Sequence, residues 1–266
     1  MNERSSVAVV TGASRGIGLA VTKRLANAGR TVVAVARRAA TSDELLQIVG
    51  VVPISLDVTD SAAVAAAAAT IESTIGPIDL LINNAGVAGG GGSTWSQEPE
   101  SWWQVFEVNV LGTFNCCRYL VPAMVNRGYG RVVNVSSNAG FFAIEDEFDL
   151  DINTAYMSSK AAVIRFSESL AAETHSSGVK VFCVSPGTVK TDMTTAIFAD
   201  YWDDPNFTWT EPDVAASLID FIAGGALDRL SGRYIHAAND DWHSLTERVD
   251  SVISNDLMSL RLTTEE

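Results

Sequence analysis

The strongest constraint on how this chain can fold is its first glycine loop. A short β-branched run, Val7 to Val10, passes through Thr11-Gly12-Ala13-Ser14-Arg15-Gly16-Ile17-Gly18 into an amphipathic stretch, Leu19 to Ala28, that stops at Gly29. A strand that turns through glycines into a helix leaves unpaired N–H groups and a positive dipole end facing one spot, an arrangement suited to a pyrophosphate. The alternation then continues. Thr31–Ala36, Val51–Leu56, Asp79–Ile82, Arg131–Val135, Val179–Val184 and Arg233–Ala237 read as further strands. Helices are expected at Asp43–Ile48, from a cap at Asp60 or Ser61 through Ile75, unbroken from Glu98-Pro99 to about Val125, over Thr154–Thr174, and from Glu211-Pro212 to Ala223. The tail from Asp240 carries two weak helical patterns. This order predicts an α/β fold, a doubly wound parallel sheet of about seven strands with helices on both faces. With 266 residues and 47% hydrophobic content, the chain suits one domain, 1–266, in which Gly89–Gly92 is a loop rather than a linker.

Charge narrows the partners. Eighteen basic residues against 32 acidic ones give a net charge of −14, which argues against a nucleic-acid backbone or an anionic membrane surface as partner. The amino terminus is too briefly apolar for a signal peptide or a membrane span, so a cytosolic protein is expected. Cys116, Cys117 and Cys183 lack the spacing of a disulfide framework or a metal site and read as buried thiols. His175, His236 and His243 are scattered, so no metal centre is expected.

Tyr156 and Lys160 stand four residues apart in the helix expected over Thr154–Thr174, so phenol and ammonium share a face. The pairing suggests proton chemistry. A unit charge about 4 Å away at an effective dielectric near 20 supplies roughly 4 kcal/mol, and about 1.4 kcal/mol moves a pKa by one unit, so Lys160 is expected to bring Tyr156 to roughly 7. In a doubly wound sheet the turns after the strands lie beside a nucleotide, which makes Arg37 and Asp57 candidates for the ribose and adenine ends; solvated loop charges are the alternative. Asn109, in an apolar helical stretch, reads locally as a backbone partner or a satisfied core amide. Residues 188–210 lack a period and hold Tyr201, Trp202, Phe207 and Trp209, as a flap over a ligand would.

From about residue 6 to 237 the chain resembles the short-chain dehydrogenase/reductase family. The motifs are Thr-Gly-Ala-Ser-Arg-Gly-Ile-Gly at 11–18, Asn-Asn-Ala-Gly at 83–86, Ser137, Tyr156, Lys160 and Pro186-Gly187. The resemblance implies a single Rossmann-type domain that binds NAD or NADP and acts on a small carbonyl or alcohol, as a homodimer or homotetramer. It implies Tyr156 as general acid or base, Lys160 as ribose ligand and modulator of Tyr156, Ser137 as the residue orienting the substrate oxygen, and Asn109 as support for a water-mediated proton relay. Ser137 is chosen over Ser136 because it stands three residues before Gly140, and because strand alternation sends Ser136 to the opposite side. By the same resemblance Gly12, Ser14, Gly16, Ile17 and Gly18 meet the pyrophosphate region, Asp57 and Val58 the adenine, Asn83, Ala85 and Gly86 the ribose side, and Pro186, Gly187, Val189 and Thr191 the nicotinamide amide. Where NAD-selective relatives usually carry an acid, this chain has Ala36 followed by Arg37, so Arg37 and Arg15 are expected to converge on a 2′-phosphate and favour NADP(H), with NAD(H) the alternative. Two departures stand out: a long interval from Ser137 to Tyr156, and a C-terminal region, with a tail over 238–266, that lacks the family's common Asp-Gly-Gly ending. The substrate pocket is expected between 138–155 and 188–210, under an acidic rim of Glu145, Asp146, Glu147, Asp149, Asp151, Asp200, Asp203 and Asp204 among Phe141, Phe142, Phe148, Tyr201 and Trp202. A dinucleotide-sensing binding protein on the same fold is the rival reading.

Overall fold

The computed structural model describes residues 7–141 and 153–261. In chain order the elements are β1 (Val7–Thr11), α1 (Gly16–Asn27), β2 (Thr31–Ala36), α2 (Asp43–Leu46), β3 (Val51–Ser55), α3 (Ser61–Thr74), β4 (Ile78–Asn83), α4 (Pro99–Phe106), α5 (Gly112–Arg127), β5 (Gly130–Val135), α6 (Thr154–Glu173), β6 (Val179–Ser185), α7 (Asp192–Ile197), α8 (Pro212–Ala223), β7 (Tyr234–His236) and α9 (Leu245–Ser254). The seven strands form one sheet in the order β3-β2-β1-β4-β5-β6-β7, and each adjacent pair is parallel. Strand order therefore reverses between β1 and β4, and the carboxyl ends of both border one crevice.

Apolar side chains line both faces of the sheet, as the near-continuous hydrophobic strands require. On one face Leu25 of α1 and Leu218, Ile219 and Ile222 of α8 pack over Ala8, Val10, Leu80 and Phe182. On the other, Val64 and Ile71 of α3 and Leu120 and Met124 of α5 cover Val9, Leu81, Val132 and Val181. The alanine-rich α3 buries a narrow stripe of Val64, Ala68 and Ile71. Its start is as read: the Asp60 side chain accepts from Ala63 N at 3.0 Å. All three cysteines are buried and unbridged. No helix among the described residues is long and apolar enough to cross a membrane.

The helix expected to run unbroken from Glu98-Pro99 to Val125 is interrupted. Between α4 and α5 the turn widens into a π-helical segment, Glu107–Leu111, with Asn109 buried inside it. One extra residue in a turn shifts the helical register, and here it points the Asn109 amide inward at the site. In the tail the described residues carry one helix, α9.

Candidate active site

On the glycine-loop side, Thr11 closes β1 and its hydroxyl accepts from Asn84 N and Ala85 N, both at 3.0 Å. The Asn84 side chain returns the tie, donating to Thr11 O at 2.9 Å and Gly12 O at 3.3 Å. These bonds draw the end of β4 against the loop so closely that a Cβ on Gly18 would lie 2.5 Å from Asn84 Nδ2, with Gly12 O closer still. Gly12 itself takes a positive φ of 66°, a conformation that suits glycine. At the start of α1 the preceding residue, Arg15, contributes no side-chain cap. The cradle therefore fits a pyrophosphate: close backbone approach and a helix N-terminus open to an anion. Thr11 and Asn84, which organise it, are absent from the sequence-derived site; their signal is only a hydroxyl at a strand end and the first polar residue after β4.

Other expected cofactor positions fare differently. Asn83 turns its side chain into the interior, where it donates to Asn134 Oδ1 at 2.9 Å and Cys117 Sγ at 3.3 Å. It therefore cannot face a ribose with its amide, because the last residue of β4 still obeys strand alternation. Asp57 spends its carboxylate on Thr59 N at 2.9 Å and Thr59 Oγ1 at 2.8 Å, bonds that hold it below the usual carboxylate range with help from the nearby charge of Arg37. Val58 is buried beneath Gly112. Arg37 is exposed just past the end of β2. Arg15 does not converge on it: its guanidinium pairs with Asp192 at the start of α7, 2.5 Å away. The physical reason is an exposed carboxylate on the flap, which supplies the ion partner that local sequence could not reveal.

The catalytic candidates meet at the amino end of α6. Asn153 caps that helix by accepting from Tyr156 N at 3.0 Å, and donates to Ala88 O at 2.6 Å and Gly90 O at 3.0 Å. It thus anchors the glycine loop 89–92 to the helix that carries Tyr156. Ser137 lies close enough to the Tyr156 phenol to draw its pKa down, and the Lys160 ammonium lies 5.5 Å from the centre of the Tyr156 ring. Lys160 Nζ donates to Val135 O at 3.0 Å. Burial brings the lysine down from its ordinary value to about 8.

Burial pushes the Tyr156 phenol up, only partly offset by Ser137. The expected fall toward 7 is therefore reversed. Desolvation penalises the phenolate more than its neighbours stabilise it, and Lys160 aims its ammonium at a backbone carbonyl rather than at the phenol oxygen. Ser137 lies beside Tyr156, and Ser136 does not go to the far face of the sheet. Alternation carries through Ser136: like Asn134, which donates to Ser167 Oγ at 2.9 Å, it faces α6, and its hydroxyl donates to Lys160 O at 2.9 Å, whereas Val133 and Val135 face the other core.

Asn109 sits under this group with its amide spent. Its Oδ1 accepts from Val87 N at 2.9 Å, and its Nδ2 donates to Val87 O at 3.0 Å and Ser159 Oγ at 2.9 Å. These are the bonds of the satisfied core amide. Its proximity to the lysine is nonetheless real: a Cβ on Gly86 would lie 3.2 Å from Asn109 Oδ1 and 3.6 Å from Lys160 Nζ. Ser159, another residue missed in the sequence, links Asn109 to Tyr156 O at 2.7 Å.

Over the site, residues 188–210 form a folded flap. Val189 pairs with Thr210 to pinch its neck. Above the neck Phe198, Phe207 and Trp209 meet at tilted and edge-on angles within 5.9 Å of one another, and Trp202 lies 5.3 Å from Trp209. Lys190 caps the cluster, 4.3 Å over the Trp202 ring. Thr191 touches Gly16, so the flap begins directly above the glycine loop. Of the expected acidic rim, Asp203 is exposed and Asp204 holds its own turn through Asn206 N at 2.8 Å; Glu145, Asp146, Glu147, Asp149, Asp151, Phe142 and Phe148 lie outside the described residues, as does the side chain of Asp200.

Comparison with known proteins agrees with this geometry. The model of the family described as short chain dehydrogenase matches residues 6–202. A short chain dehydrogenase from Pseudocercospora fijiensis is 37% identical over a match that covers 71% of this chain and 62% of that protein. Galactitol 2-dehydrogenase (L-tagatose-forming) from Cereibacter sphaeroides is 35% identical, with 85% of this chain and 90% of that protein covered. Among solved structures, a gluconate 5-dehydrogenase from Burkholderia cenocepacia in complex with NADP and tartrate superposes with a TM-score of 0.79 at 27% identity, covering 89% of this chain and 94% of the other. Fold and sequence matches converge: the chain belongs to the short chain dehydrogenase family of NAD(P)-dependent oxidoreductases.

Proposed function

We propose that the protein transfers hydride between NADP(H) and a ketone or secondary alcohol, with Tyr156 exchanging the proton, Ser137 orienting the substrate oxygen and Lys160 holding the nicotinamide ribose. The observation that carries this reading is the half-buried Tyr156 ring set beside Ser137, with the Lys160 ammonium 5.5 Å from the ring centre. The residues that would hold the dinucleotide are the Gly12–Gly18 loop and the start of α1 at the pyrophosphate, Asp57 and Val58 at the adenine, Ala85 and Gly86 at the ribose side, and Gly187 to Thr191 at the amide. The nicotinamide, when bound, supplies or accepts the hydride.

In reduction Tyr156 gives its proton to the carbonyl oxygen while the carbonyl carbon gains hydride. The raised pKa suits that direction, because the phenol stays protonated at neutral pH, the form a general acid needs. Oxidation needs the phenolate, so its rate should climb with pH until the phenol has ionised. Ser137 accepts or donates at the same oxygen and fixes its distance from Tyr156. Asn109 and Ser159 clamp the backbone of α6 under Tyr156 and keep Lys160 in reach.

NADP(H) is favoured by the exposed Arg37 just past β2, where Ala36 offers no carboxylate to repel a phosphate; the NADP in the Burkholderia structure supports the same choice. Arg15 contributes once it leaves Asp192.

The test is NADPH oxidation with a panel of ketones, wild type against Tyr156→Phe. Turnover by the wild type and a loss of about 10²- to 10⁴-fold in the variant, with NADPH affinity unchanged, is expected. Tight NADPH binding with no ketone reduced would point to a sensor instead, and more than about a tenth of the wild-type rate left in the variant would remove Tyr156 from the chemistry.

A further inference from the structure

Tyr234, on β7 beside the site, has no part in the proposed proton transfer. It stands on β7 opposite Cys183 of β6, and its ring meets Phe141 edge-on at 5.0 Å. Phe141 closes the short turn Asn138–Gly140 that Ser137 opens. Its neighbour Ile235 points the other way, into the core under α8, so alternation along β7 sends the Tyr234 phenol to the face where Ser137 and Tyr156 lie.

The phenol oxygen is buried and closes no hydrogen bond among the described residues. Ser185 is close enough to draw its pKa down a little, but burial, Cys183, Asp240 and Tyr156 together push it well up. The same short set of neighbours places the hydroxyl within electrostatic reach of Tyr156. Elsewhere tyrosine hydroxyls find partners: Tyr119 meets Ser61 at 3.0 Å, and Tyr129 accepts from Arg131. A buried O–H without a partner destabilises the fold that keeps it, and such a group calls for a reason. Phenylalanine would fill the same space against Phe141 without that penalty.

We propose that Tyr234 is a specificity residue whose hydroxyl donates to a second oxygen of the substrate, so that the preferred substrates are ketones carrying an oxygen acceptor near the reacting carbonyl rather than plain ketones. This rests on the reductase reading. A site that hydrogen-bonds a substrate group rejects the analogue lacking it, because the polar group of the site is then left unpaired. Tyr156 and Ser137 take the reacting oxygen, and Tyr234 takes the other.

Two probes of matched length separate the effects: ethyl acetoacetate, with an ester oxygen near its ketone, and 2-heptanone, with methylenes there instead. With NADPH in excess, wild type should favour ethyl acetoacetate in kcat/KM, and Tyr234→Phe should lose about 10- to 100-fold on it while changing less than about threefold on 2-heptanone. The melting temperature of the variant should equal or exceed that of wild type, because the orphaned hydroxyl is gone. Equal losses on both ketones, no loss on either, or a lowered melting temperature would overturn the assignment and make Tyr234 a packing residue. Failure of the underlying reading looks different: wild type binds NADPH but reduces neither probe, and this inference falls with it.

Discussion

On the glycine-loop side of the crevice, backbone meets backbone: Thr11 and Asn84 lace β1 to the end of β4, and Gly18 leaves no room for a methyl group over Gly12 O. On the flap side, aromatic side chains meet one another, from Phe198 to Trp209, and hold themselves up over a neck of one bridge. The first kind of contact tolerates no substitution, since a loop carbonyl tied down by the Asn84 amide has little room to move aside. The second can be rebuilt with other side chains of similar volume. A family fold that keeps the cofactor side and varies the flap can thus change substrates without losing its cofactor. Only one charged contact joins the two sides among the described residues, the exposed pair Arg15–Asp192.

The floor between these sides offers the largest test. Lys160 is buried with a pKa near 8 against 10.5 for the free side chain. The unfolded chain therefore binds more protons between pH 8 and 10.5, and the contribution of Lys160 to stability rises with pH through that window. Below it, holding the charge costs roughly 3 kcal/mol at 1.36 kcal/mol per unit of pKa. Chemical denaturation of wild type and Lys160→Met across that range should show the slope in the wild-type curve minus the variant curve. The subtraction matters because the thiols of Cys116, Cys117 and Cys183, pushed up by burial, impose the opposite trend on both proteins above pH 9. A difference that stays flat from pH 8 to 10.5 would mean that Lys160 is better solvated than its burial implies.

Gly18→Ala breaks the glycine-loop side directly. Overpacking costs roughly 1–3 kcal/mol, and a backbone oxygen at 2.2 Å puts this case at the upper end. Thermal melts should fall and fluorescence titration with NADPH should show weakened binding. Phe207→Leu in the flap should leave both nearly unchanged and raise KM for bulky ketones, and an equal loss of NADPH affinity in the two variants would erase the contrast between the sides.

Arg37→Ala sharpens the contrast within the cofactor side. Hydrogen bonds to charged groups are worth about 1.5–3 kcal/mol, so the ratio of kcat/KM for NADPH over NADH should fall by roughly 10- to 150-fold. An unchanged ratio removes Arg37 from phosphate recognition, and a wild type that favours NADH refutes the cofactor assignment. The smallest effect belongs to Asp192→Ala. Exposed ion pairs contribute little to stability, so the melt should not move; freeing Arg15 should tighten NADPH by a few-fold and leave NADH alone.

Sequence by itself determined what is local. β2 runs over the residues read for it, Thr31–Ala36, because a β-branched run bounded by Gly29-Arg30 and Arg37-Arg38 has no competing period. The Asp60 cap, the proline start of α8 and the shared face of Tyr156 and Lys160 depend on neighbours within one helical turn, and all are legible. Tertiary structure decided whatever depends on a distant partner. The π-helical turn at Asn109 is fixed by Val87, 22 residues away, and no periodicity announces an inserted residue whose amide is satisfied from another loop. Arg15 finds Asp192 at a separation of 177 residues, Asn83 finds Asn134, and the Tyr156 phenol rises instead of falling because the fold removes water around it. A sequence names the groups that can carry charge. Which of them face one another, and how dry the space between them is, depends on the packing of the whole sheet and its helices.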